Sequence, residues 1–345
     1  PSRLRTICMK AVWYDSQGDA QAVLKDGALP DPEPGPGEVR VRLHASAVNP
    51  TDTKVRSGWR GTRPMPFPRI IPHQDGAGII DRVGPGVDAS HVGQRVWVFE
   101  AQFRRPFGTA AEYTVVPASN AVRLPAHTSF AEGACLGIPA MTAHRCLFMD
   151  GPVAGQTILV TGGAGAVGFY AVQLARWGGA ARVVATVSRP EQAAVALAAG
   201  ADAVINYKTE DVAARLKEVT GAADGRGIDR VIDVNFGANV NVAVDVLKPN
   251  GVIATYASGE DPRARPAIPF FPLMLNGITV HFVLEYVMPA EAKAAAVRDI
   301  TSALKAGALR HNVARRFPLT AADVAAAHDL QDSGTLIGKV VIEID

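Results

Sequence analysis

The sequence predicts an α/β protein, a doubly wound parallel sheet joined to a β-rich, barrel-like domain. Three observations carry that expectation. At 345 residues the chain is too long for one ordinary hydrophobic core and comfortable for two. From about Phe130 onward, short Val/Ile runs alternate with Ala-rich segments of helical period, the pattern of βαβ units. Before Phe130, polar and apolar residues alternate between Pro/Gly breaks, as in a barrel-like domain of short strands.

Taken in order, residues 39–45 (Val-Arg-Val-Arg-Leu-His-Ala) have the period of two of a half-buried strand. Pro34-Gly35-Pro36-Gly37 turns the chain before it. Residues 77–83 form another strand, closed by Gly84-Pro85-Gly86. In the second region residues 156–162 read as a strand and 166–177 as a helix, then 182–188 as a strand and 191–199 as a helix. Residues 203–207, 228–234 and 251–257 add strands, and 277–283 a sixth. Beyond a proline-broken stretch, 290–305 are helical, and 338–344 end the chain as a strand returning to the first domain. The expected division is residues 1–130, 131–284 and 285–345. Met9-Lys10-Ala11-Val12 reads as a natural start, so the basic residues before it are set aside.

Composition narrows the function classes. Hydrophobic residues make up 48% and charged ones 20%, which suits a well-packed globular chain. With 35 basic and 33 acidic residues the net charge is only +2, so no global field draws nucleic acid or a membrane. The basic run at 310–316 reads as a solvated face. Cys8, Cys135 and Cys146 show no paired spacing, which points to a reducing cytoplasm. No apolar stretch is long enough to span a bilayer.

The strongest motif is Gly163-Ala164-Gly165-Ala166-Val167-Gly168, a G-x-G-x-x-G between a strand and an amphipathic helix, the setting a Rossmann dinucleotide fingerprint requires. Gly163 is expected to permit the tight turn, Gly165 to let the backbone approach a pyrophosphate, and Gly168 to let the helix pack closely. The opening amides of that helix, at Ala166, Val167 and Gly168, would hold the phosphate charge. About twenty residues on, where an NAD-binding chain places Asp or Glu, this one reads Ser188-Arg189-Pro190. No carboxylate repels a 2′-phosphate there and a guanidinium can pair with one, so NADP is expected over NAD. Arg189 as an ordinary surface charge is the plainer alternative.

Residues 133–143 (Gly-Ala-Cys-Leu-Gly-Ile-Pro-Ala-Met-Thr-Ala), 201–207 (Ala-Asp-Ala-Val-Ile-Asn-Tyr), 238–241 (Ala-Asn-Val-Asn) and Asn49-Pro50-Thr51-Asp52 resemble the ζ-crystallin-like quinone reductases of the medium-chain dehydrogenase/reductase superfamily. The resemblance runs from Met9 to the final strand. It implies a GroES-like catalytic domain built from both chain ends, with the Rossmann domain inserted. It also implies Asn49 and Thr142 on the nicotinamide side, and Ser188, Arg189 and Tyr207 around the 2′-phosphate. Asn239, Tyr256, Ala257, Ser258, Phe282, Val283 and Leu284 would line the rest of the groove. Tyr207 as a strand-end core residue and Asn239 as a helix N-cap are the structural alternatives.

Two departures matter. Many relatives carry Tyr two residues after the Asn-Pro-x-Asp aspartate, where this chain has Lys54; Asn49 and Lys54 are thus the candidates for polarity in the reaction cleft. The zinc-ligand histidine of metal-dependent relatives aligns with Gln74 and the first cysteine ligand with Ser46, leaving only Cys135 and the neighbouring His73, so no metal is expected. Oxidising an alcohol needs a Lewis acid or base, whereas a quinone or enone delocalises the incoming charge itself. The resulting expectation is an NADPH-dependent, zinc-independent reductase of a quinone or other conjugated carbonyl. The alternatives are an enoyl-thioester or alkenal reductase, a zinc alcohol dehydrogenase, and a non-catalytic NADPH-binding crystallin-like protein. Trp59, Phe67 and Phe103, in loops 58–68 and 101–107, are either stacking residues for the acceptor or core fillers. A homodimer or homotetramer, through the edge strand at 277–283, is the expected assembly.

Overall fold

The computed structural model describes residues 8–59, 65–259, 261 and 263–345; the residues before Cys8 and the middle of the 58–68 loop lie outside them. The chain divides into two compact units, Pro1–Ile138 with His311–Asp345, and Pro139–Arg310. The boundaries expected at 130/131 and 284/285 both fall short of these. The difference at the second boundary has a packing cause. Helix Ala290–Lys305 buries Ala296, Ile300, Ala303 and Leu304, and its Asp299 bonds His144 at 2.7 Å. Arg310 in turn donates its N–H to Gln173 Oε1 at 2.6 Å. All of these partners belong to the second unit.

In the second unit six parallel strands stand in the order Ala203–Asn206, Arg182–Val187, Thr157–Val160, Ile228–Asp233, Leu247–Thr255 and Thr279–Phe282. Numbered along the chain this is 3-2-1-4-5-6, the doubly wound order that reverses direction next to its first strand. The strands Thr157–Val160 and Arg182–Val187 are runs rich in Val and Ile and almost wholly buried, as expected of a sheet covered on both faces, whereas the edge strand Thr279–Phe282 stays partly exposed. Leu159, Val184, Val231 and Ile253 meet Leu216, Val240 and Val244 in one core.

In the first unit a seven-stranded sheet is built around Glu38–Ala47, which pairs antiparallel with Asp75–Val83, Tyr113–Pro117 and Lys339–Glu343. The last strand thus inserts beside Glu38–Ala47, as the apolar run at 338–344 predicts. Helix Pro50–Ser57 follows that strand directly, and helix Ala321–Asp332 packs its Val324, Ala325 and Ala327 into the same core.

Candidate functional site

Along the C-terminal edge of the parallel sheet the motif residues fall into one row. The loop after Val160 carries the glycines, Ser188 follows Val187, Tyr207 follows Asn206, and Tyr256 follows Thr255. Val187 and Asn206 are paired in register, and Tyr207 donates its N–H to Val187 O at 3.1 Å. The ends of these two strands therefore bring Ser188, Arg189 and Tyr207 to neighbouring positions. Tyr207 is 53% exposed, which removes the core-residue alternative. Arg189 opens helix Pro190–Ala198 from an extended backbone conformation, and Ser188 Oγ donates to Gln192 Oε1 at 2.9 Å.

The glycine loop is shaped by sterics, with roles shifted from the expected ones. Left-handed backbone falls on Gly162, at φ +66°, so Gly162 makes the tight turn. At Gly163 an added Cβ would meet Ala185 Cβ at 2.5 Å, so that glycine serves close packing on the sheet. At Gly168 a Cβ would stand 2.2 Å from Gly162 O, which lets the first turn of helix Ala166–Trp177 close onto the loop. Gly165 is exposed at the helix start, and the opening amides of that helix have no helical acceptor. Those donors and the positive helix end form an anion cradle.

A buried carboxylate missed in the sequence organises the middle of this edge. Asp233 Oδ1 accepts from Thr161 Oγ1 at 3.0 Å and from Asn239 Nδ2 at 2.7 Å, and Oδ2 accepts from Thr255 Oγ1 at 3.0 Å. Asn239 therefore does not cap its helix. It lies within Phe236–Val246, whose N-cap is Asn235. Ser258 Oγ accepts from Gly237 N–H, Val283 is buried, and Phe282 and Leu284 are exposed at the sheet edge. Thr142 is buried on helix Gly137–Phe148.

The first unit holds a second constellation. Asn49, 2% exposed, accepts from Lys339 Nζ through Oδ1 at 2.6 Å and donates from Nδ2 to Asp75 Oδ2 at 2.7 Å. Lys339 also donates to Val48 O at 2.7 Å, and both Asp75 oxygens accept from Ile138 N–H at 3.0 Å. Gly137 is obligatory for that approach, since a Cβ would lie 1.9 Å from Asp75 Oδ1. Asn49 N–H donates to Asp52 Oδ2 at 2.7 Å. Burial pushes Asp52 up to about 8 and Asp75 up to about 6, and pushes Lys339 down, while the opposite charges resist each shift. Burial thus favours the neutral form of Asp52, while Lys339 and Asp75 attract one another across the Asn49 amide. Lys54 is half-buried with Nζ 4.7 Å from the Trp59 ring centroid, a cation–π contact.

Beside this cluster a hydrogen-bond chain runs in one direction. Arg56 Nε must donate to His328 Nδ1 (3.2 Å), so His328 carries its proton on Nε2 and gives it to His73 Nε2 (2.8 Å). His73 then donates from Nδ1 to Ser46 Oγ (2.8 Å), Ser46 to Thr109 Oγ1 (2.7 Å), and Thr109 to Asp75 O (2.7 Å). Desolvation lowers His73 to about 3 and His328 well below its usual value.

These bonds also occupy the places where zinc ligands would stand. Ser46 is engaged as described. Gln74 Nε2 donates to Gln102 Oε1 at 3.0 Å while its Oε1 accepts from Gln102 N–H at 3.1 Å. The Cys135 thiol donates to Ala131 O, and burial pushes it up to about 12. A hydroxyl, a carboxamide and a protonated thiol do not fit the thiolate and imidazole chemistry zinc requires. Among the described residues no group of three or more His, Cys, Asp or Glu is arranged to hold a metal ion.

The described residues also contain no helix long and apolar enough to cross a membrane. Lys339, Asp75, His328 and Asp233 were not singled out in the sequence. For Lys339 a signal existed, a lone charge inside the apolar run Gly338-Lys339-Val340-Val341-Ile342.

Family models for an alcohol dehydrogenase GroES-like domain and a zinc-binding dehydrogenase match residues 35–126 and 166–302. The chain is 30% identical to a quinone oxidoreductase of Lama guanicoe over 97% of each chain. It is 32% identical to a 2-haloacrylate reductase of a Burkholderia species over 97% of this chain and 99% of that one. Among solved structures, Escherichia coli quinone oxidoreductase complexed with NADPH superposes with a TM-score of 0.81 at 26% identity, covering 97% of this chain and all of that one.

Proposed function

The chain belongs to the medium-chain dehydrogenase/reductase superfamily, in its quinone oxidoreductase branch, and from that premise we propose that it oxidises NADPH and reduces a quinone or another conjugated carbonyl acceptor without zinc. The observation that carries this reading is the strand-end row in the second unit. A glycine-shaped anion cradle stands at its centre, and Ser188, Arg189 and Tyr207 stand where an acidic side chain would select NAD. When bound there, NADPH supplies the hydride. The chain's own work is to hold the pyrophosphate on the amides of Ala166, Val167 and Gly168, and to pair the 2′-phosphate with Arg189. Tyr256, Ala257, Ser258, Val283 and Leu284 complete the groove. Asn49, Thr142 and Lys54 are assigned to the reaction side, where they orient the acceptor and exclude water.

Zinc independence is supported by the donor set at Ser46, Gln74 and Cys135. A conjugated double bond as the reduced group is a second acceptor class, favoured by the likeness to a 2-haloacrylate reductase. Among the described residues the strand Thr279–Phe282 ends the sheet with one edge unpaired, flanked by exposed Phe270, Phe271, Leu275 and Phe282. We assign that edge to a second copy of the chain. Buried, unpaired Cys135 and Cys146 suit a reducing cytoplasm.

The test is NADPH consumption against 1,4-benzoquinone, enals, enoyl thioesters and 2-chloroacrylate, with and without a chelator. Turnover that survives chelation supports the reading; loss of turnover with the metal overturns its zinc-free part, and silence towards every acceptor overturns the enzymatic part. Arg189→Ala is expected to weaken NADPH about ten- to hundredfold, the equivalent of losing a charge-assisted pair, with NADH changed by less than about twofold. Equal losses for both dinucleotides would remove Arg189 from the 2′-phosphate site.

A further inference from the structure

We propose that Lys339, on the last strand of the chain, is a positioning residue for this reduction and acts through the side chain of Asn49. The proposal rests on the reading above, which places Asn49 beside the reacting groups.

Lys339 is 3% exposed in a strand whose other inward residues are aliphatic. Taking an ammonium out of water costs several kcal/mol, and an aliphatic side chain would pack that position without the penalty. Asn49 stands at the N-cap of helix Pro50–Ser57 in a capping box with Asp52, and its carboxamide reaches Lys339 and Asp75 as well. The buried ammonium has one effect on that amide. An ammonium can only donate and an ionised carboxylate can only accept, so Lys339 and Asp75 together fix which end of the Asn49 amide faces which way. A carboxamide between two neutral groups would be free to flip; between these two it has one orientation. The same Asp75 takes the first N–H of the helix that carries Thr142, so that helix start is referenced to the same amide.

A purely structural lysine and a positioning one make different predictions in a double-mutant cycle on kcat. Lys339→Met and Asn49→Leu are each expected to lower kcat roughly tenfold or more, with NADPH affinity moved by less than about threefold. If Lys339 acts through Asn49, the double variant is no slower than the worse single, because the second change removes something already lost. Lys339→Gln, whose amide can still donate to Val48 O or Asn49 Oδ1 but has no charge, is expected to recover part of the rate, and it decides the question should Lys339→Met fail to fold. Losses that multiply, or a folded Lys339 variant with unchanged kcat, overturn the proposal while leaving the NADPH reductase intact. A wild-type chain silent towards every acceptor overturns the reductase reading, and this proposal falls with it.

Discussion

In the second unit, recognition is built from backbone. Gly162, Gly163 and Gly168 clear space at a strand end, and the helix Ala166–Trp177 offers its first amides to an anion. In the first unit, the corresponding polarity is built from side chains inside the fold, where Lys339, Asp52, Asp75, Arg56, His73 and His328 are all buried. A backbone site tolerates a different set of errors from a side-chain site. Removing a side chain near the glycine loop leaves its donors in place, whereas adding one destroys the loop. In the buried cluster the reverse holds, because the groups compensate one another for lost water and removing one strips partners from the rest.

That contrast is open to direct attack. The largest effect is expected from Lys339→Met, which takes the opposite charge away from buried Asp75 and a donor away from Val48 O and Asn49 Oδ1. Breaking a buried pair from one side typically costs about 3–5 kcal/mol. Two-transition calorimetry should show the loss in the first unit with the second unit's transition unmoved. A loss below about 1 kcal/mol would mean that the cluster is not held by charge.

Gly168→Ala is the complementary change and the next in size. Its methyl would meet the carbonyl of Gly162 at 2.2 Å, and backbone must move to admit it. Overpacking of this kind costs about 1–3 kcal/mol. The expected signature is a second-unit transition lowered by that amount and NADPH affinity weakened by roughly tenfold or more, read by fluorescence titration. Unchanged affinity would show that the helix start does not shape the cradle.

The same contrast explains how much was legible. Strand–helix alternation and the glycine fingerprint are local signals, and they place the six parallel strands, the glycine loop and Ser188-Arg189; Tyr207 and Tyr256 came through the family resemblance. Even there the division of labour among the glycines was misread, because Gly163 is constrained by Ala185 on the neighbouring strand and not by its own turn. The first-unit cluster joins residues remote in sequence: Asn49 to Asp75 across 26 positions, His73 to His328 across 255, and Lys339 to Asn49 across 290. No window of sequence contains such a pair. Asn49 was found only through a family resemblance, and its partners could not be. The domain limits slipped for the same reason, since His144 and Asp299 meet across 155 positions.

The smallest expected effect, and the sharpest in sign, concerns acid. In the first unit His44, His73, His311 and His328 are all held below their usual range by burial, His73 to about 3 and His311 to about 4; in the second unit His144 is. A histidine lowered on folding contributes stability that is present above its unfolded value, about 6.5, and is lost as pH falls towards its folded one. Asp52 and Asp75 are raised, so their contribution is fully present below about 4 and lost as pH rises, which opposes the histidines. Between about pH 5 and 6 the lowered histidines outnumber the two raised carboxylates, so the first unit loses stability as acid is added. Removing two fully buried histidines together, as His73→Leu with His328→Leu, should make the pH slope of this unit's urea-unfolding stability clearly shallower over that window. Repacking around the new leucines displaces the whole profile without tilting it, so the slope reports protonation alone. A slope equal to that of the unaltered chain would show that these two imidazoles do not enter the fold neutral, and the one-way hydrogen-bond chain from Arg56 to Asp75 would be wrong with them.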